Sequence, residues 1–132
     1  MNTFNVTSST QQQAYKTTIN TTDHVLIADE PIDLGGQNLG PTPGELLAAS
    51  LASCTSITLK MYADRKEWNL EEINVDVEFN IEDKLNPVMT RTISIIGAIE
   101  ANQQGRLLAI ANVCPMHKLL EKSLTINTTF KN

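Results

Sequence analysis

Apolar residues fall at every second position from Ile73 to Ile81 in EINVDVEFNIE (72–82), the period of a strand with one face buried. Asp83-Lys84-Leu85-Asn86-Pro87 then supplies turn residues, and VMTRTISIIGAI (88–99) reads as the antiparallel partner. Residues 4–30 are rich in Thr, Val and Ile, with alternation at Tyr15–Asn20 and again at His24–Ala28, which predicts two or three strands. Between these regions, residues 31–44 carry three Pro and four Gly in 14 positions and are expected to form loop without regular structure.

The period changes after that loop, and a helix is predicted from about Pro43 to Lys66. Thr42 suits the N-cap, Pro43 the first helical position and Glu45 the first turn, where an acid meets the positive end of the dipole. Leu47, Leu51, Cys54, Thr58 and Met61 recur at helical spacing and are expected to form the buried stripe, while Lys60 and Asp64 are placed to pair. Such a helix is ~36 Å long, long for one small domain, so a second subunit is expected to cover part of it. Leu107–Val113 and Met116–Lys122 have helical spacing on either side of Pro115, and LTINTTF (124–130) alternates as a last strand. Trp68, Phe79 and Met61 are expected in the core. The order β-β-α-β-β-α-β, with long antiparallel pairs, makes the fold class α+β.

Length then limits the organisation: 132 residues suit a single domain, 1–132, with an ordinary core. A net charge of −5 argues against nucleic acid as a partner, because phosphate contacts need clustered positive charge. The N-terminal residues lack the pattern of a signal peptide, and no run of about 18 apolar residues predicts a membrane span. The expectation is a cytoplasmic protein that binds no membrane. In that compartment the two cysteines are reduced at rest, and a disulfide between them is transient or catalytic rather than structural.

Those cysteines are the main candidates for chemistry. Cys114 precedes Pro115; if Pro115 opens a helix, Cys114 is its N-cap, where free amides and the dipole favour an anion. That is a setting for a reactive thiol, and His117, three residues on, adds positive charge there when protonated. The other reading of Cys114 is a small buried plug. Cys54 lies mid-helix on the apolar stripe and by local residues alone reads as packing. Glu45 reads either as a helix-start acid or as a polar group directed at a thiol. GGQNLG (35–40) lacks the strand before it and the Lys-Ser/Thr after it that a phosphate loop needs. Cys54, Cys114, His24 and His117 contain no C-x-x-C pair, so their spacing points away from a metal site. A Cys-His hydrolase lacks its oxyanion-hole signature.

Two segments carry a wider resemblance: GGQNLGPTPGELLAASLASCTSITLKMYADRKEWNLEEINVDVEF (35–79) and VCPMHKLLEKSLTI (113–126). With ADEP (28–31) ahead of them they resemble the OsmC/Ohr family of thiol-dependent peroxidases, and more narrowly its OsmC-like branch. The resemblance implies an OsmC-like α+β fold in which a long central helix is flanked by antiparallel sheets in an intertwined homodimer. It implies that Cys54 is the peroxidatic thiol and Cys114 the resolving one, with Glu45 matching the acid at the helix start. It further implies a small hydroperoxide as substrate and an external thiol, of the dihydrolipoyl type, as reductant, with no tightly bound cofactor.

The chain departs from the family pattern in two places. Gly44 stands where the Ohr-type acid directly follows Pro, and Glu45 matches one position later. The family arginine of the N-terminal strands has no counterpart, since residues 1–53 contain no Arg and one Lys, Lys16; Arg65, Arg91 and Arg106 do not match that element. Without that charge a buried Cys54 thiolate loses support, and His24 or Lys16 is the candidate substitute. A second function class is therefore carried forward: an OsmC-like protein that binds a small ligand without reducing peroxide.

Overall fold

A computed structural model describes residues 3–131, which divide into two compact units, one reaching to Leu47 and one beginning at Ala48. It is a mixed helix-and-sheet protein with antiparallel sheets, ordered β1 (Thr7–Thr10), β2 (Thr17–Asn20), β3 (Val25–Ala28), α1 (Pro43–Arg65), β4 (Glu72–Asn80), β5 (Val88–Ile96), α2 (Ala101–Ala111) and α3 (Pro115–Leu120). The order is therefore β-β-β-α-β-β-α-α.

In the first unit β1, β2 and β3 form an antiparallel sheet in that order, with Thr17 opposite both Thr10 and Ala28. The chain leaves β3 at Asp29, which is 2 % exposed. Its carboxylate accepts four backbone N–H groups: Tyr15 at 3.1 Å and Glu30 at 2.7 Å on Oδ1, Gln37 at 3.3 Å and Leu39 at 3.1 Å on Oδ2. These amides come from the β1–β2 connection and from the loop after β3, so one side chain satisfies backbone that has no ladder to join. Glycine is required where the loop folds back: a Cβ on Gly36 would lie 2.0 Å from Glu30 O, and one on Gly40 2.2 Å from Ile27 O. The loop is not wholly irregular, since Ile32–Leu34 forms a 3-10 turn ended by Gly35 at φ 91°. Pro and Gly exclude long elements but permit a single turn of i→i+3 bonds.

Thr42 and Glu45 close the start of α1 reciprocally. Glu45 N–H donates to Thr42 Oγ1 at 3.2 Å and Thr42 N–H to Glu45 Oε1 at 2.9 Å, a capping box that satisfies two orphan donors. The helix spans the predicted residues, but its buried positions are Leu51, Thr55, Leu59, Tyr62 and Ala63. The expected stripe is thus rotated by about one residue, or ~100°: Cys54 and Thr58 are half-buried, and Leu47 and Met61 are exposed. Two polar side chains enter the interior because their polar atoms are satisfied. Thr55 Oγ1 donates to Leu51 O at 2.7 Å, and Tyr62 Oη accepts from Arg106 Nε at 2.8 Å. Apolarity alone does not locate such a face. The helix ends with Glu67 at φ 58° and a bond from Trp68 N–H to Ala63 O at 2.9 Å, which turns the chain into β4. Lys60 and Asp64 pair at 2.7 Å as expected.

In the second unit β4 and β5 pair over nine residues each, from Glu72 opposite Ile96 to Asn80 opposite Val88. Ile73, Val75, Val77 and Phe79 share the half-buried face. Ile81 lies past the strand end and is exposed, because alternation ceases to govern burial once pairing stops. The core is built by Leu59, Tyr62, Ala63, Leu70, Leu107 and Ala111, with Trp68, Ile93 and Ile95 packed against it. Met61 is not part of it. Helix α2 begins six residues before the apolar run at Leu107, at a capping box between Glu100 and Gln103. The last strand expected at 124–130 is absent: those residues have no regular structure, and Leu124, Ile126 and Phe130 are exposed. Alternation prepares a strand but does not provide the neighbour whose hydrogen bonds would make it one.

Two outcomes follow for the first unit. Burial pushes the Asp29 carboxyl up, but the amides of Leu39, Glu30, Tyr15 and Gln37 together outweigh it and hold the group below its ordinary 3.8. With the folded value the lower, its contribution to stability is present above pH 3.8 and is lost as pH falls through the folded value. Asp29→Asn, whose NH2 confronts donors, is expected to lower the thermal midpoint at neutral pH and to flatten this acid-side dependence in melts run across the acid range. Gly36→Ala is expected to cost about 1–3 kcal/mol or more in denaturant unfolding, because the atom it strikes is backbone.

Candidate functional site

The possible chemistry of the second unit gathers at the start of α3. Pro115 occupies the first turn and Cys114 is the N-cap, in extended backbone, with Sγ accepting from His117 N–H at 3.4 Å. The expected helix start is therefore present, and the Cys114 sulfur is wholly buried beside it. Thr55 Oγ1 lies 3.8 Å from the sulfur. Since the Thr55 proton is given to Leu51 O, its oxygen faces Cys114 as an acceptor.

The cation at this site is Arg91. Strand β5 alternates, and Met89, Arg91, Ile93 and Ile95 are its half-buried positions, so the arginine points inward with apolar neighbours. Its guanidinium is partnered on both terminal nitrogens. Nη1 donates to Thr55 Oγ1 at 3.1 Å and lies 4.0 Å from Cys114 Sγ. Nη2 donates to Asn112 Oδ1 at 3.1 Å and reaches His117 Nδ1 at 2.9 Å. A guanidinium has no acceptor, so Nδ1 of His117 must accept and the ring proton sits on Nε2. That Nε2 lies 3.1 Å from Glu121 Oε2. The positive charge expected from His117 is thus supplied by Arg91, and the imidazole orients it.

The two cysteines differ in setting. Cys54 is half-buried, with Thr58 Oγ1 3.9 Å from its sulfur, and it adjoins Thr55, which touches Cys114. Both thiols are free. Glu45 belongs to the first unit; its carboxyl is held below the ordinary carboxylate range first by the Thr42 amide and then by the Thr42 hydroxyl, so the capping role accounts for it. His24 lies in the turn between β2 and β3, its amide donating to Thr21 Oγ1 at 3.0 Å. The amides of GGQNLG that would face a phosphate at Gln37 and Leu39 are given to Asp29. Among the described residues no three His, Cys, Asp or Glu side chains cluster as metal ligands do.

Beside Arg91 and His117 is a cavity of about 630 Å³, lined by apolar side chains including Leu51, Met89, Ile93 and Leu107 and by the polar groups of Arg91, Asn112 and His117. It combines a mostly apolar wall with a few convergent polar groups, the make-up of a small-molecule site. Arg91 is remote in sequence from the N-terminal strands, where the family pattern has its arginine. The signal that identifies it is parity: in VMTRTISII it falls in the same phase as Met89, Ile93 and Ile95, and a charge at an inward position needs partners.

Comparison with known proteins places this geometry in context. The OsmC-like protein family matches residues 35–129. Similar solved structures include an OsmC-like protein from Mycoplasma pneumoniae, 17% identical with a TM-score of 0.76 over 92% of this chain and 89% of that one. An organic hydroperoxide resistance protein OsmC from Legionella pneumophila is 20% identical with a TM-score of 0.63, over 89% and 88% of the two chains. The organic hydroperoxide resistance protein OhrB of Bacillus subtilis is 20% identical with a TM-score of 0.62, over 89% of each chain. No curated protein sequence matches. These likenesses establish the fold, and the family match, covering well over half of the sequence, establishes that the chain belongs to the OsmC-like family.

Proposed function

We propose that the protein is a thiol-dependent redox protein that reduces organic or hydrogen peroxide through Cys54 and Cys114 in oxidative-stress defence. The observation that carries this reading is the setting of Cys114: a helix N-cap with a partnered arginine 4.0 Å from its sulfur and a hydroxyl contact to the residue next to Cys54. A buried cysteine that served packing alone needs no such cation. The names of the Legionella and Bacillus relatives, both organic hydroperoxide resistance proteins, agree with it.

In this mechanism the Cys54 thiolate attacks the O–O bond and becomes a sulfenic acid, the other oxygen leaving as an alcohol or as water after taking a proton. Cys114 condenses with the sulfenic acid to give a disulfide and water, and an external dithiol of the dihydrolipoyl class returns both thiols. Glu45 contributes by fixing the start of the helix that carries Cys54. The working form is a homodimer in the cytoplasm; exposed Ile57 and Met61, one turn apart on α1, are apolar surface that a second copy would cover.

A second reading has its own support. Neither cysteine is among the residues lining the cavity of about 630 Å³, which suits a protein that binds a small, largely apolar ligand without using the thiols.

Brief treatment with cumene hydroperoxide followed by intact mass analysis separates the two. A loss of two hydrogens, abolished by Cys54→Ser and by Cys114→Ser, is the expected result, with peroxide consumption in the presence of reduced lipoate faster than free cysteine provides. Unchanged mass together with a retained ligand supports the binding reading instead. Sedimentation equilibrium is expected to give twice the monomer mass, and a monomer at all concentrations would remove the dimer from the proposal.

A further inference from the structure

Arg91 lies by the cysteine expected to resolve, not by the one expected to attack. The geometry points to Arg91 as the positioning residue that supports negative charge on Cys114 whenever a sulfur–sulfur bond to Cys54 forms or breaks, which makes Cys54 the sulfur that the external thiol attacks. This rests on the thiol-pair reading above and gives its recycling step a direction.

Charge balance is the same in both steps. When the disulfide forms, the Cys114 thiolate attacks the sulfenic sulfur of Cys54, and the departing hydroxide takes up a proton to become water. When it is reduced, the thiolate of an external dithiol attacks the Cys54 sulfur. The S–S electron pair passes to Cys114, and a mixed disulfide remains on Cys54. The second thiol of the dithiol then attacks its own sulfur in that mixed disulfide, closing a cyclic disulfide and releasing Cys54. Whenever the bond between Cys54 and Cys114 forms or breaks the charge is on Cys114 Sγ, which has His117 N–H at 3.4 Å and Arg91 Nη1 at 4.0 Å, and only the last transfer leaves a thiolate on Cys54.

Two independent features select this direction. Exchange is faster when the leaving sulfur is the better-supported anion and the attacked sulfur is the more accessible. Cys114 is wholly buried beside the cation, whereas Cys54 is half-buried, with Thr58 Oγ1 3.9 Å from its sulfur. His117 and Asn112 serve by accepting from Nη2, which holds the guanidinium so that Nη1 faces Thr55 and Cys114. An arginine so fixed pre-orients its donors before charge develops.

The test begins with the unaltered protein, oxidised by one equivalent of hydroperoxide, exposed briefly to 2-mercaptoethanol, quenched in acid and mapped by peptide mass. The expected adduct is on Cys54, and an adduct on Cys114 overturns the inference. Stopped-flow measurements then compare sulfenic acid formation with disulfide formation. Arg91→Met is expected to slow the second about tenfold more than the first, the size of one charge-assisted hydrogen bond, with Arg91→Lys recovering part of the loss. Equal slowing of both steps, or no recovery by Lys, assigns Arg91 a merely structural role. If Arg91→Met does not fold, adduct mapping on the unaltered protein still decides. Failure of the unaltered protein to form any disulfide would instead remove the thiol-pair reading itself.

Discussion

The second unit is organised by one requirement: an arginine that faces inward from a strand must have its hydrogen bonds satisfied. Arg91 meets it by donating to groups on separate elements, the Thr55 hydroxyl on α1, the Asn112 amide after α2 and the His117 ring on α3. Each partner is constrained in return. Thr55 can be wholly buried because its hydroxyl donates to Leu51 O and accepts from Arg91, and His117 is confined to one tautomer. The apolar core of Leu59, Leu107 and Ala111 supplies the burial energy, but nondirectional packing would tolerate small slippages of these helices. The fork of hydrogen bonds does not, and Cys114 inherits its position from that registration.

The fold was legible wherever a residue's burial followed from its own apolarity. The β4–β5 hairpin, the extent of α1 and the helix start at Pro115 all follow from period and from capping residues. Where burial depended on a partner, the pattern misled. Thr55 and Tyr62 carry polar atoms yet are buried because Arg91 and Arg106 reach them, so the inward face of α1 is displaced from the one that Leu47, Cys54 and Met61 suggest. The segment 124–130 has the alternation of a strand, yet a strand is a relation between two chains of backbone, and one sequence segment states half of it.

The candidate site divides in the same way. Cys114 was visible from its proline, whereas Arg91 was not, because a cation is assigned to a site by what lies across from it in space. The missing arginine of the N-terminal strands first suggested a weakened thiol site. The cation in this chain is instead on β5 and beside the other cysteine. Gly44 and Glu45 are a comparable displacement: with glycine after the proline, the acid sits where its carboxylate closes on Thr42. Fold membership constrains the backbone closely and the placement of charge much less.

The Asp29 cluster bears on association rather than on chemistry. A loop of 14 residues dense in Pro and Gly, 29–42, would ordinarily sample many conformations, and a molecule binding to it would lose affinity to the entropy of ordering it. Here the carboxylate already holds Tyr15, Glu30, Gln37 and Leu39, and the backbone contacts at Gly36 and Gly40 leave no room for looser packing. The segment between β3 and α1 is therefore preorganised. Anything that docks against it meets a fixed surface, and binding there is expected to carry a small entropic penalty.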